Sequence, residues 1–329
     1  MSRNSSILLL LPVLLMAGGS DGAGPSPRLP DAMHALALSS VDHVYKEEFK
    51  EARDDARRMM REYPDHPAGY FFMAAVIDAR MEHLQTDDEE VDFYRHCDLA
   101  VSKGEALLEK RDDPWVRFFV GGAHGARGTY ESRYGRWITA FRFGWQGVTA
   151  FRELLEQAPG IKDAWLGIAT YDYWRSAMTK KLWWMPGVED KRDEAIGMLR
   201  EVVAEGIYVR EAAAKNLVPI LNNEKRYREA LAAAEGMLAR YPNCLVFKWG
   251  RAEAKLGLGE PDAAEKEFKQ ILERVESQDV DNRYNVVRCR YFLARTYFRQ
   301  KHYARCRDEC RRIQRYELDT DTKRRLEKE

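Results

Sequence analysis

The side chains best suited to hold a metal ion lie near the C-terminus. His302, Cys306 and Cys310 follow one another at intervals of four, which places them on one face of a helix. A rise of about 1.5 Å per residue separates His302 from Cys310 by roughly 12 Å along the axis, too far to share one ion. We therefore expect no metal site, and we interpret Cys306 as a small core residue. A disulfide from Cys289 to Cys306 or to Cys310 stays open at this point.

Aromatic side chains concentrate between residues 165 and 184 and form the first candidate binding surface. Rigid aromatic rings offer contact area at a low entropy cost, which is typical of protein interfaces. The alternative is that these rings fold back and fill the space between repeats. The candidate partner-binding residues of this segment are Tyr171, Tyr173, Trp174, Trp183 and Trp184.

The second candidate surface is basic. Between residues 288 and 315 the chain has ten Lys or Arg and two Asp or Glu. Arg288, Arg295 and Arg299, with tyrosines nearby, could hold an acidic peptide, a polyanionic glycan or phospholipid headgroups. The alternative is a solvated end cap, which a repeat protein needs to avoid stacking on copies of itself.

Two further patterns look like chemistry but have structural explanations. The glycine-rich residues 121–128 lack the preceding strand that a phosphate-binding loop requires, so we predict a close crossing of two helices there. Asp163, Asp172 and Glu189 flank the aromatic segment and could form a carboxylate pair for glycan cleavage, but no spacing supports the separation that such a pair needs.

The elements that position these residues are helices with a repeating crossing residue. Ala195, Ala230, Ala264 and Cys306 are separated by 35, 34 and 42 residues, and similar Tyr-Pro phrases close the helices ending near residues 62 and 240. A small residue at a fixed position of each second helix lets antiparallel helices approach closely. The pattern predicts fourteen helices in seven hairpins between residues 31 and 316, a right-handed all-α solenoid.

The period of 34 to 35 residues resembles that of the tetratricopeptide-repeat superfamily. The likeness is clear from about residue 161 onward and looser over residues 31–159. The run from residue 164 to residue 190 looks like that of bacterial exported tetratricopeptide-repeat proteins, and more faintly like that of the eukaryotic repeat family linked to inclusion-body clearance. The resemblance implies a helical solenoid with a concave binding groove. It does not imply an enzymatic activity, and it leaves the ligand open.

The N-terminus is typical of an export signal. Arg3 precedes an apolar run over residues 7–16, and small residues follow at 17–19. We predict a signal peptide over residues 1–23, a flexible linker over residues 24–30, and one helical-repeat domain over residues 31–329. Within that domain, residues 31–159 form irregular long repeats and residues 160–329 form regular ones. We expect an exported protein of the periplasm or cell envelope, with no integral membrane segment after signal removal.

Charge and composition restrict the function. The chain has 53 basic and 53 acidic residues, so no net field draws it to nucleic acid. We predict a non-catalytic scaffold, without a cofactor, that binds a protein or peptide partner in the envelope. The alternatives are an envelope carrier of lipid or glycan and, third, a glycan-cleaving enzyme on a helical superhelix.

Overall fold

The computed structural model describes residues 28–179, 189–278 and 280–326, and over these ranges the ordered elements are helices. A short 3₁₀ turn, Lys162–Ala164, precedes the seventh helix. The helices are α1 (Asp31–Lys46), α2 (Phe49–Glu62), α3 (Pro67–Leu84), α4 (Glu90–Leu108), α5 (Pro114–Arg133), α6 (Trp137–Gln157), α7 (Trp165–Thr179), α8 (Arg192–Glu205), α9 (Arg210–Asn223), α10 (Tyr227–Arg240), α11 (Leu245–Gly257), α12 (Pro261–Glu276), α13 (Arg283–Arg299), α14 (Tyr303–Ile313) and α15 (Thr320–Leu326).

Each odd-numbered helix from α1 to α13 packs against the even-numbered helix that follows it, and successive hairpins pack side by side. The chain is therefore a stack of seven helical hairpins, and the prediction of an all-α solenoid is confirmed. The fifteenth helix, α15, was not expected from the sequence and packs against α13.

Proline and capping residues mark the helix starts. Proline stands in the first turn of α3, α5 and α12, where its missing N–H would have no helical partner in any case. At α5 the carboxylate of Asp113 accepts hydrogen bonds from the backbone N–H groups of Trp115 and Val116, at 3.0 and 3.3 Å. These local signals explain why most helix limits follow from the sequence.

The crossing residues of the regular repeats are alanines without solvent exposure. Ala195, Ala230 and Ala264 are at most 1% exposed, which confirms the repeat register in the C-terminal half. Cys306 occupies the equivalent position of the last described hairpin and is only partly buried. All five cysteines are free thiols.

The crossing of α5 and α6 uses glycines. A β-carbon on Gly128 would lie 2.9 Å from the backbone nitrogen of Gly144, and one on Gly147 would lie 2.9 Å from the carbonyl oxygen of Gly121. The predicted close helix crossing is confirmed. α5 continues past this crossing and ends at Arg133.

The end of α1 meets the chain between α10 and α12. Tyr45 at the end of α1 packs on the rings of Tyr241 and Phe247, with centroids 5.7 and 5.9 Å away. The carboxylate of Glu47 accepts a hydrogen bond of 2.6 Å from the backbone N–H of Leu245, the first residue of α11, and pairs with Arg274. These contacts form a seam that joins the N-terminal end of the superhelix to the stretch from α10 to α12.

A second set of polar contacts extends this seam. The side chain of His83, in the last turn of α3, is 2.9 Å from the amide nitrogen of Gln278, and its backbone oxygen accepts from Asn285 at 3.0 Å. From α15, Arg324 donates to the backbone oxygen of Tyr134 at 2.9 Å and Arg325 bonds the side chain of Gln85. These contacts join the ends of α3 and α5 to the chain after α12 and to α15.

Within the described ranges, no helix is long and apolar enough to cross a bilayer.

Candidate functional site

The open part of the concave face is an apolar cavity of about 430 Å³ between α1, α3, α5, α6, α7 and α9. Its walls are mostly aromatic, aliphatic and glycine residues. A concave, mostly apolar pocket of this size is typical of a ligand-binding site.

Aromatic residues surround the mouth of the cavity on α6 and α7. Trp137, Trp174 and Met178 line it while being partly exposed to solvent, with Trp174 at 48%. Trp145 lies beside them at 54% exposure, and its ring centroid is 6.3 Å from that of Tyr171, which lines the cavity. Large exposed apolar side chains at the mouth of a pocket are typical of a binding site.

Two exposed arginines of α6 pack on aromatic rings, and neither lines the cavity. Arg142 lies over the ring of Phe143 at 4.9 Å, and Arg152 lies over the ring of Trp145 at 5.9 Å. Among the described residues neither has a carboxylate within ion-pairing distance. The mouth of the cavity itself is consequently apolar and aromatic.

Glycines keep the interior of the cavity open. Gly125 lies in the middle of α5, where glycine destabilises a helix by about 1 kcal/mol relative to alanine. A β-carbon at Gly125 would have no neighbour within 4 Å, so close packing does not require glycine on that side. Gly144 differs, since its β-carbon would lie 3.1 Å from the ring of Tyr171. Gly125 therefore preserves volume that a side chain could fill.

One end of the cavity carries a compact charged cluster. Asp78 and Lys215 line the cavity; Arg133 pairs with Asp78 at 3.0 Å, and Lys215 pairs with Glu82. Burial raises the pKa of Asp78 although Arg133 opposes the shift. Burial also disfavours the charged form of Glu82, but the positive charges of Lys215 and Arg133 outweigh it and lower the pKa of Glu82 to about 2. Two acids and two bases balance here, so the cluster offers no uncompensated charge to a ligand.

The residues predicted in the aromatic segment fall into different environments. Tyr171 and Trp174 both line the cavity. Tyr173 is fully buried instead, and its hydroxyl donates to Glu224 at 2.9 Å and accepts from Asn223 at 2.8 Å. This corrects its placement on a partner surface, because successive helix positions point in different directions and Tyr173 points into the core. Trp183 and Trp184 lie outside the described residues, so their role stays a prediction.

The carboxylates considered for glycan cleavage have structural partners. Asp163 is buried and accepts hydrogen bonds from the backbone N–H groups of Ile207 and Tyr208, at 2.8 and 2.6 Å. Asp172 is buried beside Arg175 at 3.4 Å. Burial raises the pKa of Asp163, and the backbone hydrogen bonds oppose that shift. Asp163 thus holds the loop before α9 against the 3₁₀ turn that precedes α7.

The basic candidate residues on α13 also lie in different environments. Arg288 is partly buried, pairs with Glu253 at 3.0 Å and lies over the ring of Trp249 at 4.8 Å. Arg295 and Arg299 are exposed, and in the described part of the chain no carboxylate lies within ion-pairing distance of either. Arg288 therefore stabilises the packing of α13 on α11, whereas Arg295 and Arg299 are available to a partner.

Two exposed aromatic rings lie beside these arginines. Phe298 is 62% exposed and Tyr303 is 53% exposed, and their ring centroids are 5.8 Å apart in an edge-to-face arrangement. An end cap of a solenoid has a polar outer surface. The face defined by Arg295, Phe298, Arg299 and Tyr303, here called the α13–α14 face, is amphipathic instead.

Sequence reasoning did not identify the α6 half of the cavity mouth. Trp137, Phe141 and Trp145 recur every four residues and form a stripe on α6. The signal was present in that spacing, but a helical aromatic stripe is read first as core packing. The exposure of two of the three rings became evident only in the folded chain.

Residues 221–282 match the family model of the tetratricopeptide repeat. No curated relative matches the sequence. A solved tetratricopeptide repeat protein from Parabacteroides merdae is similar to this chain at 13% identity, over 91% of this chain and 98% of that one, with a TM-score of 0.38. The family match falls on α10 to α12 and adjoining residues, where the alanine register is regular. The predicted likeness to the tetratricopeptide-repeat superfamily is confirmed over these residues, and such repeats generally mediate protein–protein interactions.

Proposed function

We propose that this protein is an exported, non-catalytic scaffold that binds an acidic segment of a protein partner in the cell envelope through the α13–α14 face. The observation that carries the proposal is the exposed pair Phe298 and Tyr303 beside Arg295 and Arg299. Aromatic and arginine side chains are the residues that most often dominate protein interfaces.

The charge of the face selects the partner. Arg295 packs over the rings of Tyr291 and Phe292 at 5.6 and 5.3 Å, which holds its guanidinium at the surface without neutralising it. An acidic segment with one or two large apolar residues would pair with the arginines and cover the exposed rings. Such complementarity governs both the association rate and the choice of partner.

The closed superhelix supports this choice of surface. Because Tyr45 and Glu47 contact the start of α11, a partner that bound at that place would have to displace them. The α13–α14 face lies outside that seam and is available without rearrangement.

A peptide selection tests the binding proposal. The purified protein is screened against a displayed library of random peptides, and we expect enrichment of Asp, Glu and aromatic residues. The affinity of one selected peptide is then measured by fluorescence anisotropy. Arg295→Glu/Arg299→Glu should weaken it by at least about tenfold, equivalent to about 1.4 kcal/mol.

The matched control is Arg311→Glu/Arg315→Glu, which changes the net charge equally on exposed positions of the same terminal unit. Equal losses in both double variants would reduce the effect to nonspecific charge attraction and overturn the proposed face. Enrichment of peptides without acidic residues would also overturn it. Phe298→Ser/Tyr303→Ser should weaken binding while leaving its salt dependence unchanged.

The export part of the proposal rests on the composition of residues 1–23. Cell fractionation of a bacterial host producing the full chain should place the protein in the envelope fraction. A variant without residues 1–23 should stay in the cytoplasm, and an unchanged distribution would contradict export by this segment.

A further inference from the structure

Two cysteines of α14 form a thiol pair that core packing does not explain. Cys306 and Cys310 are four residues apart within one helix, so their β-carbons lie roughly 5 to 6 Å apart on the same face. Cys306 is partly buried and Cys310 is exposed, whereas the other three cysteines are buried. Ala234 and Phe268, which stand four residues after the crossing residues of α10 and α12, have no exposed surface. Packing therefore accounts for a small residue at Cys306, but not for a thiol at Cys310.

The two thiols interact with each other. Burial raises the pKa of Cys306, the neighbouring Cys310 thiol and its hydrogen bond raise it further, and the positive charge of Arg307 opposes the shift. A disulfide needs β-carbons only about 3.5 to 4.5 Å apart, closer than one turn of a helix holds them. A metal–thiolate bond of about 2.3 Å lets one ion join two sulfur atoms about 4.6 Å apart, so a bridging ion fits this spacing.

The thiol pair offers two ligands to an ion rather than four. In the part of the chain that the structure describes, no group of three or more His, Cys, Asp or Glu side chains is placed to hold a metal ion. The neighbouring carboxylates of Asp308 and Glu309 are held in ion pairs with arginines. His302 stands at the N-cap of α14, too far from Cys310 to share an ion with it. A tetrahedral ion such as Zn²⁺ would therefore lack half of its ligands.

The surrounding charge favours a monovalent ion. Arg307 and Arg311 directly follow the two cysteines, and over the described ranges no carboxylate lies within ion-pairing distance of Arg307. Two thiolates around a monovalent cation carry one net negative charge, whereas two thiolates around a divalent cation carry none. Positive charge beside the pair therefore stabilises the first complex and not the second. Copper(I) is a monovalent ion that soft thiolate ligands select.

We propose that Cys306 and Cys310 bind one copper(I) ion as a two-coordinate bis-thiolate. Both thiols release their protons to solvent as the two copper–sulfur bonds form, so the complex carries one negative charge beside Arg307. The ion enters as copper(I), and its oxidation state does not change. None of the residues that define the α13–α14 face takes part, so this site is independent of the partner proposal.

Competition with the copper(I) chelator bicinchoninate, followed by absorbance under anaerobic conditions, tests the site on the purified protein. We expect wild-type protein to take up one copper(I) per chain. Cys310→Ser and Cys306→Ala should each weaken binding by at least about a hundredfold, equivalent to about 2.7 kcal/mol. Both variants should fold normally, because Cys310 is exposed and alanine already occupies the crossing position of α8, α10 and α12.

The matched control keeps two cysteines on α14 but changes their spacing. In Cys310→Ser/Asp308→Cys the thiols are two residues apart and lie on opposite sides of the helix. Loss of Asp308 cannot weaken an anionic complex by its charge, so the control should bind copper(I) as weakly as Cys310→Ser does. If the control binds as tightly as wild type, or if wild type takes no copper(I) from the chelator, the proposal is wrong.

X-ray absorption at the copper K-edge measures the ligands without a variant. Two sulfur neighbours and no nitrogen neighbour are expected for the copper(I)-loaded protein. A nitrogen neighbour would show that a histidine such as His302 ligates the ion, and this would overturn the bis-thiolate. Zn²⁺ bound as tightly as copper(I) would also overturn it, because a site with two ligands and positive surroundings should not hold a tetrahedral dication.

Discussion

The two halves of the solenoid bring their helices together in different ways. From α8 to α12 the crossing residues are alanines at a regular spacing and are almost without solvent exposure. In α5 and α6 glycines replace them, so backbones touch at Gly128 and Gly147 while a cavity opens beside Gly125.

This difference shows how a repeat protein can build a pocket without a second domain. An alanine crossing sets one distance between helices and yields a regular stack. A glycine crossing brings two long helices closer at one point, and their remaining faces are then free to enclose a volume. The irregular half is therefore the part of the chain with a ligand-sized interior.

The sharpest test of this contrast is Gly128→Ala. Its β-carbon would lie 2.9 Å from the backbone nitrogen of Gly144 and 3.0 Å from the backbone oxygen of Ala140, so α5 and α6 must separate. We expect a loss of about 3 kcal/mol in the free energy of unfolding, measured by urea denaturation. Gly236→Ala, with no neighbour near its β-carbon, should instead stabilise α10 by up to about 1 kcal/mol. Equal effects would remove the distinction between the two crossings.

The alanine crossings should not accept a larger side chain without a loss of stability. Ala230 has no exposed surface, so Ala230→Leu adds three carbons to a packed crossing. The expected cost is about 2 kcal/mol, read as a lower midpoint of urea unfolding. Ala304→Leu, an exposed position of α14, serves as the control. A wild-type midpoint for Ala230→Leu would contradict the repeat register.

The seam between the halves depends on Glu47. Glu47→Ala removes the acceptor for the N–H of Leu245 and leaves Arg274 without this partner. Loss of a helix-start acceptor costs about 1 kcal/mol. Hydrogen exchange should accelerate in the first turn of α11 and stay unchanged in α6. Glu48→Ala, an exposed neighbour, should leave both unchanged; a uniform acceleration would mean that the seam is not a local contact.

The smallest expected effect is the pH response of this seam. Burial lowers the pKa of His83 below its usual 6.5, so the folded protein disfavours its protonation. The corresponding stability is complete above pH 6.5 and is lost as the pH falls through the folded pKa. His83→Gln should reduce the loss of unfolding free energy between pH 7 and pH 5 by less than about 1 kcal/mol. An NMR titration of the His83 ring that gives a pKa above 6.5 would reverse the sign and contradict the prediction.

Much of the fold follows from local signals that the sequence carries. Alanine at fixed intervals, proline in the first turn of α3, α5 and α12, and Tyr-Pro phrases after α2 and α10 determine hairpins from nearby residues alone. α15 was missed because a distant contact stabilises it. Arg324 holds α15 through the backbone of Tyr134.

The candidate sites followed less completely from the sequence. Tyr171 and Trp174 lie at the cavity, and Arg295 and Arg299 are exposed as a binding role requires. Tyr173 and Arg288 could not be separated from them by residue type, because burial depends on which neighbouring helix covers each face. Trp145 was not predicted as a site residue, because its stripe on α6 has the spacing of a buried helix face. Its exposure depends on the absence of a covering helix on that side among the described residues.

The sequence by itself determined that this chain is a series of helical hairpins, because helix periodicity, capping and crossing residues are properties of segments shorter than one repeat. Only the tertiary structure decided that α1 closes the superhelix on α10 to α12, that the open remainder is an apolar cavity, and which arginines lack partners. Those outcomes depend on contacts between residues such as Glu47 and Leu245, almost two hundred positions apart, whose meeting is set by the accumulated geometry of every hairpin between them.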